Sequence, residues 1–291
     1  MNKIIFAIAV LSLAAVAQIR AGDMTGAKKI FTEKQDSVIW LTGVVKISVS
    51  ASGSGDDVPN IPDEEAKVMA LGTIVSSEGL VVAMLSELDP VAGVKNKVVQ
   101  TENGPIKLNA TAVIKELKAV MPDGTEIPAE LAMKDVNLDL AVIRIKTSSK
   151  EANGMVLHAI DLKANATGLI LDEVVTLSRM PEIFNRVPAV GPGHICMITK
   201  KPRVFILATG AVGGCPTFTM DGKLLGITAG RTKEGEVVDE AIIPAADVLD
   251  VVEQSKNQKT APADKSAKEE KPAKEAKAAA EDKEKGKDKQ P

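Results

Sequence analysis

The stretch 208–227 reads ATGAVGGCPTFTMDGKLLGI and is the part of the chain best suited to chemistry. Gly210, Gly213 and Gly214 crowd its first half, so the backbone there can turn sharply and present N–H groups. Such a loop can carry a nucleophile beside donors for a developing oxyanion. No Ser stands in it, and Cys215 is its only thiol. The second half, PTFTMDGKLLGI, predicts a hairpin closed by the turn Asp221-Gly222. A nucleophile needs a base, and the chain has two imidazoles, His158 and His194. Its two cysteines, Cys196 and Cys215, could form one disulfide in an oxidising compartment or remain separate buried thiols.

The elements that would hold these groups are short and β-rich. Hydrophobic residues make up 45% of the 291, while aromatics are 2%, so the core must be aliphatic. β-Branched runs recur from DSVIWLTGVVKISVS to AIIPAADV, separated by Glu78-Gly79, Asp123-Gly124, Asp221-Gly222 and Glu234-Gly235. That rhythm predicts an all-β barrel or sandwich. ASGSGDDVPNIPDEE reads as a mobile loop, and PAADVLDVVEQ as the one helical pattern before the tail.

The ends of the chain are of a different character. MNKIIFAIAVLSLAAVA joins Lys3 to an apolar run and a small-residue A-x-A site, so 1–17 reads as a cleavable signal peptide, with a retained anchor as the alternative. No later run reaches the length of a spanning helix, so no stable membrane span is expected after cleavage and the mature chain should be exported. Residues 254–291 are low in large apolar side chains and rich in Lys, Ala and Glu, which predicts a disordered or transiently helical tail. From Ser255 onward 11 Lys face 8 acids, against a net charge of -3 for the whole chain, so the body before it is acidic. An acidic body with a basic tail argues against a dedicated nucleic-acid partner. Lys265, Lys268, Lys271, Lys274 and Lys277 could grip an anionic envelope polymer, or serve only to keep the tail solvated.

Four blocks in order resemble the trypsin-like proteases, HtrA/Deg type. They are GTIVSSEGLVVAMLSEL (72–88), MPDGTEIPAELAMKDVNLDLAVIRIK (121–146), LDEVVTLSRMP (171–181) and GGCPTFTMDGKLLGITAG with the later AIIPAADVL. The resemblance spans 37–253 and leaves 18–36 as an N-terminal segment. It implies two six-stranded antiparallel β-barrels, a short C-terminal helix and a cleft between the barrels. It also implies a Ser–His–Asp triad with backbone oxyanion donors. Carried over residue by residue, the Asp falls on Asp139, the His on Ser86 and the Ser on Gly213, so two of the three reactive groups are absent. The oxyanion loop falls on Ala211, Val212, Gly213 and Gly214, where Val212 is β-branched and Ala211 lacks glycine's freedom. The family pattern also implies that Cys196 and Cys215 lie on neighbouring strands. Cys215 is two residues past the nucleophile, about 6–7 Å along a strand, too far to replace it. The segment VAGVKNKVVQTENGPIKLNATAVIKE is longer than the family's connection and could cover the cleft or add a binding edge, and the tail replaces the PDZ domain that usually follows. The sequence thus predicts a secreted pseudoprotease that binds a protein, peptide or envelope polymer, without metal or other cofactor. An endopeptidase with a rearranged site and a structural envelope component are the alternatives.

Overall fold

In the computed structural model the described residues are 24–53, 61–91, 97–101, 104–233 and 236–257. The expected signal peptide and the expected disordered tail beyond 257 fall outside them, as do 54–60, 92–96, 102–103 and Glu234-Gly235. The first barrel is built from β1 (Val38–Gly53), β2 (Glu64–Ile74), β3 (Leu80–Met84), β5 (Gly104–Val120), β6 (Glu126–Asp135) and β7 (Leu140–Ile145). They run β1-β2-β3-β7-β6-β5, and β1–β5 pairing closes the ring. A further strand, β4 (Lys97–Thr101), is added on the outer edge of β5. The lengthened segment has therefore become wall and edge, in register Lys97↔Leu108 to Thr101↔Gly104. The second barrel is the closed ring β10-β13-β12-β11-β8-β9. Its strands are β8 (Glu173–Arg179), β9 (Pro188–Ile198), β10 (Ile206–Ala208), β11 (Pro216–Thr219), β12 (Leu224–Lys233) and β13 (Glu236–Pro244). Two closed six-stranded antiparallel barrels are the trypsin-like architecture.

Strand alternation explains how two barrels share one chain. Along β3, Val81 and Ala83 fill the first barrel, while Leu80 and Val82 face outward into the seam between barrels. Along β7, Ala141, Ile143 and Ile145 point in, and Leu140 and Val142 point to the seam. Both strands are therefore buried on both faces, which is why LVVAM reads as an unbroken apolar run and LAVIRI as one broken only by the partly exposed Arg144. From the other side Val175 and Leu177 of β8 and Ile227 and Ala229 of β12 meet the same seam, while Val174 and Leu225 fill the second barrel. Glycine punctuation works as expected at Gly79, Gly124 and Gly222, with φ of +94°, +88° and +86°. At the last of these Thr219 and Lys223 close the predicted hairpin.

Two helices finish the body. α3 (Ala245–Asn257) follows Pro244 and buries Val248, Val251, Val252 and Ser255. α1 (Thr25–Lys34) was not expected from the sequence. It has neither a side-chain cap nor an acid in its first turn, so its start carries no local signal. Packing decides it: Ala27 and Ile30 are buried in the seam cluster. Helix α1 thus lies inside the segment 18–36 that the resemblance set apart.

Across the seam the barrels are fastened by polar groups. Arg179 is 3% exposed and donates to Val38 O at 2.6 Å, Arg186 O at 2.8 Å and Gln35 O at 2.9 Å, with Asp36 at 3.3 Å. Burial pulls its pKa down, and Asp36 partly restores it. Trp40 Nε1 donates to Met180 O at 2.9 Å.

Candidate functional site

β3 delivers its last residue, Met84, to the seam, and a single turn, α2 (Leu85–Leu88), places Ser86 and Glu87 there. Asp139 sits just before β7 in a left-handed conformation, φ +57°, which an Asp tolerates better than most residues. Its backbone O accepts Leu85 N–H at 2.9 Å, so the turn and the Asp fix one another. The carboxylate is fully engaged. Oδ1 accepts Ser86 N–H at 2.8 Å, and Oδ2 accepts Ser86 Oγ at 2.8 Å and Gly230 N–H at 3.0 Å. Burial raises the Asp139 pKa, and those donors with the Arg231 guanidinium oppose the rise. The structure thus brings Ser86 and Asp139 together, the Ser86 hydroxyl donating to the carboxylate.

The glycine loop keeps a tight course. Gly210 and Gly214 have φ of +76° and +70°. Gly214 N–H donates to Thr228 O at 2.8 Å, Thr73 Oγ1 donates to Gly214 O at 2.8 Å, and Cys215 N–H closes a turn onto Val212 O at 3.1 Å. A side chain at Gly214 would run into the Leu71 carbonyl. Val212 and Ala211 turn their side chains onto the apolar clusters. Ala211 and Val212 therefore pack on the apolar clusters while the turn through Gly214 stays hydrogen-bonded.

A Cβ at Gly213 would lie 3.1 Å from Met84 Sδ and 3.6 Å from both Glu87 Oε1 and Glu240 Oε1. Two carboxylates thus flank the point from which a nucleophile would project. Glu87 is half-buried, and its Oε2 is enclosed without a hydrogen-bond partner. Burial, with Glu240 and Asp139 as like charges, raises its pKa to about 7. Glu240 stands exposed on β13. Burial of its carboxyl and the neighbouring Asp239 raise its pKa, while the Gly213 N–H favours its ionised form. Sequence reading missed both residues. Glu87 adjoins Ser86, but only the fold brings Glu240 across from the other barrel.

Cys215 is fully buried, and burial with Glu87 and Glu240 pushes its thiol pKa well up. Burial therefore disfavours the thiolate that a nucleophile needs. The expected neighbouring placement of Cys196 and Cys215 fails. Cys196 lies exposed on β9, Cys215 just before β11, and β8 runs between those strands. Two strand spacings, about 10 Å, exceed the reach of a disulfide, and both thiols are free. His158 is exposed between β7 and β8, and His194 is exposed on β9. Neither is among the partners of Asp139. Among the described residues no group of three or more His, Cys, Asp or Glu is arranged to hold a metal ion, and no helix is long and apolar enough to cross a membrane.

No family model and no curated protein matches the chain. Among solved structures it is similar to the HtrA-type protease AlgW with a decapeptide, at 18% identity and a TM-score of 0.48, covering 78% of this chain and 66% of that one. It is similar to the apo MamO protease domain from Magnetospirillum magneticum, at 17% identity and 0.42, covering 76% and 97%. It is also similar to a serine endoprotease from Yersinia pestis, at 18% identity and 0.49, covering 78% and 65%. The chain thus spans just under two thirds of the AlgW and Yersinia chains.

Proposed function

We propose that this chain is an exported, non-catalytic protein of trypsin-like fold whose inter-barrel cleft binds a peptide segment. The observation that carries the reading is the charge around Gly213. Acyl transfer builds negative charge beside the nucleophile, and a working site aims donors at it. Here Glu87 and Glu240 aim carboxylates at that point, both within 3.6 Å of the side chain's origin. Asp139, free of any imidazole, is satisfied by Ser86 and Gly230. Loss of nucleophile or base alone costs about 10⁶-fold in such triads, and both are absent at Gly213 and Ser86. The rival reading, a rearranged endopeptidase, has Glu87 as a candidate base but only the buried Cys215 as a nucleophile. Export rests on the N-terminal sequence, and the Lys-rich tail is a separate candidate grip on an anionic envelope polymer.

The test is to treat the purified mature protein with a fluorophosphonate probe and to follow cleavage of unfolded casein. No adduct and no cleavage are expected. Casein cleavage abolished by a serine-directed inhibitor would overturn the reading.

A further inference from the structure

The outer side of β9 carries an apolar patch with a thiol beside it. Leu169, Ile170 and Leu171, just before β8, are 73%, 57% and 76% exposed. They are held out rather than loose. Leu169 N–H donates to Asp172 Oδ2 at 2.7 Å, and Asp172 N–H returns to Leu169 O at 3.1 Å. Leu171 N–H donates to Ile195 O at 2.9 Å, and Ile195 N–H to Asp172 O at 3.0 Å, so the turn lies against β9. Leu171 is left-handed there, φ +73°, a conformation that bulky residues rarely adopt. None of the three belongs to a core cluster of the described residues. Single apolar side chains on a surface are ordinary, whereas three in a row fixed outward mark a contact.

β9 continues the patch. β10 pairs Leu207 with Met197 and Ala208 with Ile195, so Cys196 is the extra residue of a β-bulge. The bulge breaks the in–out alternation, and Cys196 and Met197 are both exposed, Met197 by 42%. β8 reaches only to Glu173, opposite His194, so among the described residues no strand flanks Cys196 on that side. Charge is arranged about the same centre. Asp172 and Glu173 are exposed towards one end of this face, and Lys200, Lys201 and Arg203 beyond the other. Neither Glu173 nor any of the three cations is in an ion pair with a described residue. A twofold axis near Cys196 sets the acidic end of one copy against the basic end of the other, so the face complements itself.

We propose that a second copy of this chain docks on this face, and that the Cys196 thiols of the two copies join across the axis. Cys215 is buried and out of reach, so each chain has one odd exposed thiol, and a residue on a twofold axis meets its own copy. The bond forms by exchange with a small disulfide donor. One Cys196 thiolate attacks the donor and releases a thiol. The second Cys196 thiolate attacks the mixed disulfide and releases the other thiol. The two cysteine protons end on the two released thiols, and the donor is the species reduced. The covalent step rests on the export reading above, which supplies an oxidising compartment. The docking does not, and neither depends on peptide binding.

The test uses the full mature chain. Sedimentation velocity in reductant, over a concentration series, reads the docking. Non-reducing intact mass and peptide mapping after incubation with oxidised glutathione read the bond. Wild type should dimerise in reductant, less so at high salt, and then yield a Cys196–Cys196 species of twice the chain mass. Ile170→Asp, at an exposed site, should raise the dimer dissociation constant at least about tenfold and slow the cross-link as much. Glu173→Lys, and Lys200→Glu with Lys201→Glu, should each weaken the dimer, and all three in one chain should restore it. A wild type that stays monomeric in reductant would overturn the docking. Cross-linking as fast in Ile170→Asp as in wild type would reduce the bond to chance collision of exposed thiols and overturn the proposal. A dimer indifferent to both Ile170→Asp and the charge variants would place the contact on another surface. A dimer whose Cys196 gains only glutathione would overturn the disulfide and leave the docking.

Discussion

At the residue scale the restoration series separates missing groups from misplaced charge. Gly213→Ser alone should stay inactive, since Ser86 is no base. Gly213→Ser with Ser86→His rebuilds the three side chains, and Met84 Sδ, at 3.1 Å from the new Cβ, must yield by a few tenths of an ångström. A carboxylate about 5 Å from a developing oxyanion opposes it by about 3 kcal/mol at an effective dielectric near 20, less where solvent reaches it as at Glu240. Adding Glu240→Gln should therefore raise peptide hydrolysis by about tenfold over the double variant, measured as kcat/KM. The closeness of Ser86 to Asp139 was legible in the sequence because each falls within an ordered block. The carboxylate pair was not, because Glu87 and Glu240 are brought together only by barrel packing. Glu87 also makes stability depend on pH. Its pKa rises from 4.5 to about 7 on folding, so the folded state holds the extra proton between those values. Its contribution is complete below about pH 4.5 and is lost as pH rises through 7. The full shift is worth at most about 3 kcal/mol, and about 1–2 after allowing for solvent at this half-buried group. Thermal melts should show Tm falling between pH 5 and pH 8 by about 3–6 °C more in wild type than in Glu87→Gln.

Among the elements, strands were far easier to anticipate than helix α1 or the true extent of β1, β4 and β5. Period-two patterning and Asp-Gly or Glu-Gly turns mark strands locally, whereas α1 forms because Ala27 and Ile30 find the seam. The added segment could be seen to be long, but not that it would pair with β1 over Val120 to Ile106, closing and extending the wall. The placement of the cysteines failed for a related reason: sequence order does not reveal that β8 is inserted between β9 and β11. Arg179 was equally hidden, a charged residue in a strand that proves to be a buried fastener with three backbone carbonyl partners. Arg179→Met keeps much of the bulk but orphans those carbonyls, so it should cost about 2–4 kcal/mol in urea unfolding. A loss below about 0.5 kcal/mol would mean that the seam does not depend on it.

For the whole molecule, the helices Thr25–Lys34 and Ala245–Asn257 both bury side chains against the barrels. A chain begun at Ser37 lacks the Ala27 and Ile30 contacts and should melt several degrees below one begun at Gln18. Ending the chain after Asn257 should leave Tm within about 1 °C, whereas ending it at Asp250 removes buried Val251, Val252 and Ser255 and should lower it sharply. The fastening of β1 to β8 by Arg179 and Trp40 has a kinetic consequence as well. Buried polar contacts across the seam oppose hinging, so a peptide bound as proposed would meet both walls already in place. Association is then a single encounter, with no slow closing step to follow. In stopped-flow traces the observed rate should rise linearly with peptide concentration in one exponential phase. The slope, not the phase count, should respond to ionic strength, because only the steering charge is screened.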